Sequence, residues 1–276
     1  MKAKRRQSGI TLMEMTVVVA AVALLGVLGL PAISAFLNSL ASSGPTKAMI
    51  SAALSSARAI AVKERHYAGI RFQKAYDPKG PLEADQYMVF IVHDVDKTKL
   101  ANGFRAVEGL EPIKLPEAVG VMDLKVVNRT DSRPHVKCED NHINLDSEID
   151  DQKELTDTTS FSIIFSPSGK LVKHRVEISN RDGFRQPTSL SHSMDDIFNS
   201  PENIKDNKTG MFIQDDYFNG SPPDRGLGPE LSRNGFIIYE RDKFKAAFEN
   251  GRAWSDYLKN LDAIYINPYV GTIIEK

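Results

Sequence analysis

Ile10-Thr11-Leu12-Met13-Glu14-Met15-Thr16-Val17-Val18-Val19-Ala20-Ala21-Val22-Ala23-Leu24-Leu25-Gly26-Val27-Leu28-Gly29-Leu30 is the stretch whose character decides how the rest of the chain is read. At a helical rise of ~1.5 Å per residue it spans roughly 30 Å, the thickness of a hydrocarbon core. It is too long for the apolar part of an ordinary secretory signal, and no A-x-A-type cleavage site comes directly after it. Pro31 ends it. Ahead of it, Met1 to Gly9 holds Lys2, Lys4, Arg5 and Arg6 and no acid. A basic head before an apolar run stays cytoplasmic, so the remainder of the chain is expected across the membrane. Glu14 is the exception within the run. A carboxylate there costs ~2–3 kcal/mol; it either snorkels to the headgroups or meets a partner charge.

The whole-chain balance conceals this head. The 276 residues carry 35 Lys plus Arg against 36 Asp plus Glu, a net charge of −1. Without Met1 to Gly9 the count is 31 bases against 36 acids, a net charge of −5. That excludes a generally basic nucleic-acid binder. A 41% hydrophobic and 26% charged composition supports a packed core. One cysteine excludes an intramolecular disulfide framework and a multi-cysteine zinc ribbon.

Ser8-Gly9 followed by Ile10-Thr11-Leu12-Met13-Glu14-Met15 resembles the leader of type IV prepilins and type II secretion pseudopilins. That leader has a short basic head, a Gly before the cut, a hydrophobic first mature residue and Glu at mature position five. Cutting after Gly9 makes Ile10 the new N-terminus, Glu14 the fifth residue and Pro31 the twenty-second, where the family usually carries a helix-kinking proline. The family more often begins its mature chain with Phe; Ile10 departs from that. The resemblance implies processing at Gly9 and Ile10 by a prepilin peptidase, N-methylation of Ile10, and an assembly role for Glu14 against the Ile10 ammonium of a neighbouring subunit. It also implies a bacterial inner-membrane protein, single-pass in the lipid bilayer, with a cytoplasmic N-terminus and a periplasmic C-terminal domain. Its partners would be other pilin or pseudopilin subunits and the inner-membrane assembly platform, and its destination a filament.

After Pro31 the pattern stays helical, with Ile33, Phe36, Leu37 and Leu40 at three- and four-residue spacing. Ser42-Ser43-Gly44-Pro45 interrupts it, and Thr46 caps a segment predicted from Lys47 to about Arg65. Met49, Ala53 and Ile60, with Ile50, Leu54, Ala57 and Ala61 beside them, mark its packing side. Strands are predicted at 67–73, 87–93, 121–128, 161–165, 171–179, 235–240 and 264–274, the last with a turn at Val270-Gly271. A second helix is predicted from Asp242 to Leu261. The expected fold class is α+β: a long N-terminal transmembrane and amphipathic helix packed on an antiparallel β-sheet, pilin-like, with enlarged loops. The expected divisions are a leader at 1–9, a span at 10–30, an amphipathic extension at 31–66 broken near 42–45, and a globular domain at 67–276 with an insertion at 181–233.

Weaker matches point to a subgroup. Ala53 to Ala61, Ala68-Gly69-Ile70-Arg71-Phe72, Ile164-Phe165-Ser166-Pro167-Ser168-Gly169 and Ile264 to Gly271 look like H-type minor pseudopilins and the related FimT-type minor pilins.

Chemical motifs are sparse. His135, Cys138 and His142 offer zinc-type donors, but a structural zinc needs four and the usual spacing is absent. The default is a polar loop, so no metal is assigned. Asp146, Glu148 and Asp150 alternate like a calcium loop. Asp151 then stands where Gly is required and Asp157 where Glu is required. From Glu139 to Asp157 there are eight acids and one base, Lys153, which reads as a solvated acidic loop. No H-E-x-x-H, G-x-S-x-G or P-loop motif is present, and Ser191-His192 with Asp195-Asp196 is local adjacency rather than triad geometry. No catalytic residue and no cofactor is assigned.

Three functions compete. The first is a structural subunit, a minor pseudopilin of a type II secretion pseudopilus or a related filament. The second is a minor pilin that captures DNA for uptake. It needs a basic patch such as His174, Arg175, Arg181 and Arg185, while the chain after Leu30 carries 35 acids and 31 bases, which disfavours nucleic acid. The third is an uncleaved single-pass membrane enzyme or sensor.

Overall fold

Helix α1 (Ser43–Glu64) opens the described part of the chain. The computed structural model describes residues 43–75, 77, 79–98, 101–127, 140–179 and 230–274. The expected leader, apolar span and most of the expected insertion lie outside these residues. The chain divides into two units, Met1–Pro45 and Thr46–Lys276, and the second carries every sheet among the described residues.

Helix α1 begins ahead of the predicted Lys47 and takes in Gly44 and Pro45. Pro45 sits in the first turn, where its missing N–H removes no helical hydrogen bond and its fixed φ suits the helix. The helix ends at Arg65, which adopts a left-handed φ of 56°. Ile50, Ala53, Leu54, Ala57 and Ala61 form its buried stripe, with Met49 and Ile60 packed beside them.

That stripe lies on a curled sheet of eight strands. These are β1 (Ala68–Lys74), β2 (Gln86–His93), β3 (Gly103–Ala106), β4 (Ile113–Lys114), β8 (Phe161–Phe165), β9 (Leu171–Val172), β10 (Arg175–Ser179) and β11 (Glu230–Leu231). Their order is β11-β10-β3-β2-β1-β8-β9, and β4 joins β2 beyond β3. A single helical turn, α2 (Val95–Thr98), lies between β2 and β3. The two-residue period sends Ile70 and Phe72, Phe90 and Val92, Ile163 and Phe165 to the α1 face. Val89, Ile91, Phe104, Ala106, Ile164 and Val176 fill the other, inside the curl.

A second sheet, order β14-β13-β12-β5, comprises β5 (Val119–Met122), β12 (Gly235–Glu240), β13 (Ile264–Ile266) and β14 (Ile273–Ile274). Val121, Phe236, Ile264 and Ile266 join the α1 core. Met122, Ile237 and Tyr239 face a separate core built on α3 (Gln152–Thr159), α4 (Arg241–Glu249) and the turns after α4. Tyr239 lies over Gly120, its register partner, where any Cβ would stand 2.2 Å from the ring. A two-stranded ribbon pairs β6 (Lys125–Val127) with β7 (Asp140–His142).

The Gln86 side chain joins the two sheets. Its amide donates to the Val121 carbonyl at 2.7 Å and the Thr159 carbonyl at 2.8 Å, and its oxygen accepts from the Val121 N–H at 2.8 Å. It therefore pairs with β5 as a backbone would. Removing it strands buried backbone groups at about 1–3 kcal/mol each.

The expected fold class is corrected. Among the described residues no helix is long and apolar enough to cross a membrane. The architecture is mixed α/β, with a curled sheet and a second sheet, rather than one long helix on an antiparallel sheet. The main sheet is itself mixed, because β3 and β10 pair in parallel, Gly103 opposite Glu177. The intervening strands form the long crossover that such a pairing requires, and a pairing at that separation leaves no local mark in sequence.

Smaller departures have local causes. Leu124, at a φ of 56°, breaks the predicted strand 121–128 into β5 and β6, which belong to different sheets. The chain turns at Lys173-His174 and divides 171–179 into β9 and β10. Gly251, at a φ of 67°, ends α4 at its first turn beyond Glu249, and residues Ala253–Tyr257 continue as a wider π-type turn.

Candidate functional site

Gly9, Ile10, Glu14 and Pro31 lie outside the described residues, as do His135, Cys138, Arg181, Arg185, Ser191, His192, Asp195 and Asp196. His142 is exposed on β7. Among the described residues no group of three or more His, Cys, Asp or Glu is placed to hold a metal.

The acidic segment is a set of local caps. Glu148 accepts from the Asn144 N–H at 2.6 Å and the Leu145 N–H at 3.0 Å. Asp146 accepts from the N–H groups of Ser255 at 2.9 Å and Trp254 at 2.8 Å, and the Ser255 N–H leads in holding its carboxyl below the ordinary value. Asp151 caps α3 by accepting from the Glu154 N–H at 2.8 Å, and Glu154 accepts in return from the Asp151 N–H. This is a reciprocal capping box. Of the three acids that alternate like a calcium loop, Asp146 and Glu148 are thus directed at different backbone groups.

His174 and Arg175, the described half of the predicted basic patch, are occupied locally. The His174 ring lies 4.4 Å from that of Tyr67, 5.5 Å from Phe104 and 5.7 Å from His93, centroid to centroid. Arg175 faces Glu177 at 3.7 Å. The β9–β10 turn therefore presents an aromatic cluster and a paired cation.

Charged side chains missed in the sequence lie inside the fold. Arg71, on β1, donates to Glu230 and Gln73 at 2.8 Å each and to Ser162 at 3.3 Å. Ser162 donates to the same Glu230 oxygen at 2.9 Å. Arg71 is 1% and the Glu230 side chain 7% exposed, so the pair is out of water. Arg233 donates to Asp123 and is buried with it. Its backbone N–H reaches the Ser162 carbonyl at 2.7 Å. Ser232 exchanges bonds with the His174 backbone at 2.8 Å in both directions. Residues 230–233 thus close the curl between β10 and β8, held by the Arg71–Glu230 ion pair on one side and the Arg233–Asp123 hydrogen bond on the other.

Two buried groups make stability depend on pH. Burial lowers the Lys74 ammonium to about 7; Arg241 acts in the same direction, and Asp85 and Glu83 oppose it. The amine donates to the carbonyls of Pro81 and Ala84. Burial raises the Asp123 carboxyl to about 7 against the pull of Arg233. Between the ordinary carboxylate range and pH about 7, folded Asp123 retains a proton that the unfolded chain has lost, so stability falls as pH rises. Above pH about 7 the unfolded chain retains a Lys74 proton that the folded state has lost, so stability rises again. A stability minimum near pH about 7 is expected from these two groups. Lys74→Met should flatten the alkaline rise, which amounts to about 5 kcal/mol at most, in urea titrations across the neutral-to-alkaline range. An unchanged rise in that variant would assign it to another group.

Comparison with protein-family models, with curated proteins and with solved structures returned no match for this chain.

Proposed function

We propose that this chain is a structural subunit of a prepilin-type filament, a minor pseudopilin of a type II secretion pseudopilus or of a related pilus. One observation carries the reading: the ordered coincidence of a basic head, Gly9, Ile10, Glu14 four residues later, an apolar run ending at Leu30, and Pro31. Each element has a physical task. The head orients the chain in the membrane. Gly9 and Ile10 form the peptide bond that a prepilin peptidase would cut on the cytoplasmic face, with N-methylation of Ile10. The apolar run first serves as a membrane anchor and then as the buried part of a filament. Glu14 is the acid that an Ile10 ammonium on the next subunit would neutralise.

The domain would then lie on the periplasmic side of a bacterial inner membrane, its partners being the peptidase, other subunits and an assembly platform. The mildly acidic chain beyond Leu30 favours contact with proteins over DNA capture. The pairing of Arg175 with Glu177 supports the same preference.

Replacement of the residue before the cut provides a test. Gly9→Val should leave the precursor in the membrane at full length, while the wild-type protein from the same cells migrates as the shorter form on an immunoblot. Wild type and variant of equal, full length would overturn the proposal and favour the uncleaved membrane enzyme or sensor.

A further inference from the structure

The most exposed apolar side chains collect on two separate parts of the domain. Val62, Tyr269 and Val270 are 50%, 70% and 50% exposed, and Leu145 is 60% exposed. The first three share a neighbourhood with two cations. Arg58 on α1 donates to the Gly169 carbonyl at 2.8 Å, and a Cβ on Gly169 would lie 3.1 Å from Val62. The Leu171 N–H donates to the Pro268 carbonyl at 2.8 Å, which sets the β8–β9 turn beside the C-terminal hairpin. Lys170 stands 5.9 Å above the Tyr269 ring. Among the described residues neither Arg58 nor Lys170 forms an ion pair. The nearest acid along the helix from Val62, Glu64, pairs with Lys63 at 3.2 Å.

Leu145 belongs to a surface of opposite charge. It sits at the tip of the acidic segment, where Glu148 clasps the Asn144 and Leu145 N–H groups and fixes the tip. Asp150 and Asp151 come next, both exposed, and neither forms an ion pair among the described residues. Asp146, Glu148, Asp151 and Glu154 accept from backbone N–H groups, and none of them forms an ion pair among the described residues. The two surfaces belong to different cores: Ile143, Ile149 and Leu155 anchor the acidic one, while Ala57, Ala61 and Phe165 anchor the basic one. Each combines an exposed apolar anchor with one sign of charge, the composition of a docking surface.

We propose that the acidic tip at Leu145 of one copy docks on the Arg58–Lys170–Tyr269 surface of a second copy of this chain. Charge complementarity selects this occupant, because the chain itself carries both halves. The two surfaces differ, so the contact is head-to-tail and leaves one half of each kind free at the ends of any open assembly. Repetition then gives a ring or an open helical array. The inference rests on the filament reading and adds to it a contact between domains. The fixed tip reduces the ordering cost of docking.

Disulfide trapping of the full chain in host membranes tests it, with Cys138→Ser to remove the native thiol. Cells co-expressing Leu145→Cys and Tyr269→Cys chains should yield a cross-linked dimer, and a chain carrying both substitutions a ladder. Either substitution alone should yield monomer. Lys170→Glu with Arg58→Glu should reduce the dimer about tenfold, and Asp150→Lys in the partner chain, which leaves the Asp151 cap intact, should restore part of it. Restoration separates a charge contact from a folding defect. Absence of the mixed dimer, disulfides between identical positions only, or a dimer indifferent to the charge changes would overturn the contact. The N-terminus of the same samples separates the two readings. A chain cut after Gly9 without the mixed dimer refutes the contact alone, while an uncut chain that forms the ladder refutes the filament reading alone.

Discussion

Glu230→Ala is expected to destabilise the domain by about 3–5 kcal/mol, because it takes from the buried Arg71 guanidinium the carboxylate that accepts from it at 2.8 Å. Arg71 is 1% exposed, so water cannot replace the lost acceptor without opening the sheet. The same oxygen accepts from Ser162 at 2.9 Å, so a second buried donor is released. The change also removes one of the contacts that hold residues 230–233 against β1 and β8, and the curl should loosen there first. Glu230→Gln, which retains an acceptor but not the charge, should cost less. Arg71→Leu combined with Glu230→Leu should recover most of the loss, since apolar replacement of both partners avoids an unpaired charge. Urea unfolding monitored by circular dichroism gives the three values. Equal losses for Glu230→Ala and the double variant would assign the effect to packing rather than to the ion pair.

Glu14→Ala is expected to leave the precursor inserted in the membrane and to lower its incorporation into filaments by roughly 100-fold, the equilibrium factor for about 3 kcal/mol. Removing a carboxylate from an apolar run makes insertion easier. Among packed apolar segments the same removal leaves an Ile10 ammonium without a counter-charge, which is costly in a medium of low dielectric. The opposed signs of these two effects distinguish an assembly acid from a snorkelling one. The ratio of sheared-filament to membrane-retained protein, against wild type, measures the effect. Wild-type incorporation would assign Glu14 to the headgroups.

The sequence made the central strands legible where period and boundary agreed. The predicted strands 67–73, 87–93 and 235–240 correspond to β1, β2 and β12 within one residue at each end. The buried stripe of α1 was visible as Ile50, Leu54, Ala57 and Ala61. Other features were not local. The β3–β10 pairing sets Gly103 opposite Glu177, and Arg71 meets a Glu230 that is 159 positions away. The only local sign of that ion pair was a charged residue within an apolar strand. The Leu124 break carried no Gly or Asn to announce its left-handed φ. Asp151 and Glu154, by contrast, spell a capping box in the sequence, and α3 could have been read from them. Within the acidic segment the spacing of carboxylates was legible and their targets were not, because the N–H groups of Trp254 and Ser255 arrive from a distant turn.

N-terminal mass spectrometry of the protein from its native host tests the filament-subunit proposal most directly. The expected result is a peptide that begins at N-methylated Ile10 and continues through Glu14. A peptide that reads through Gly9-Ile10 uncut, from the same membrane fraction, would contradict it.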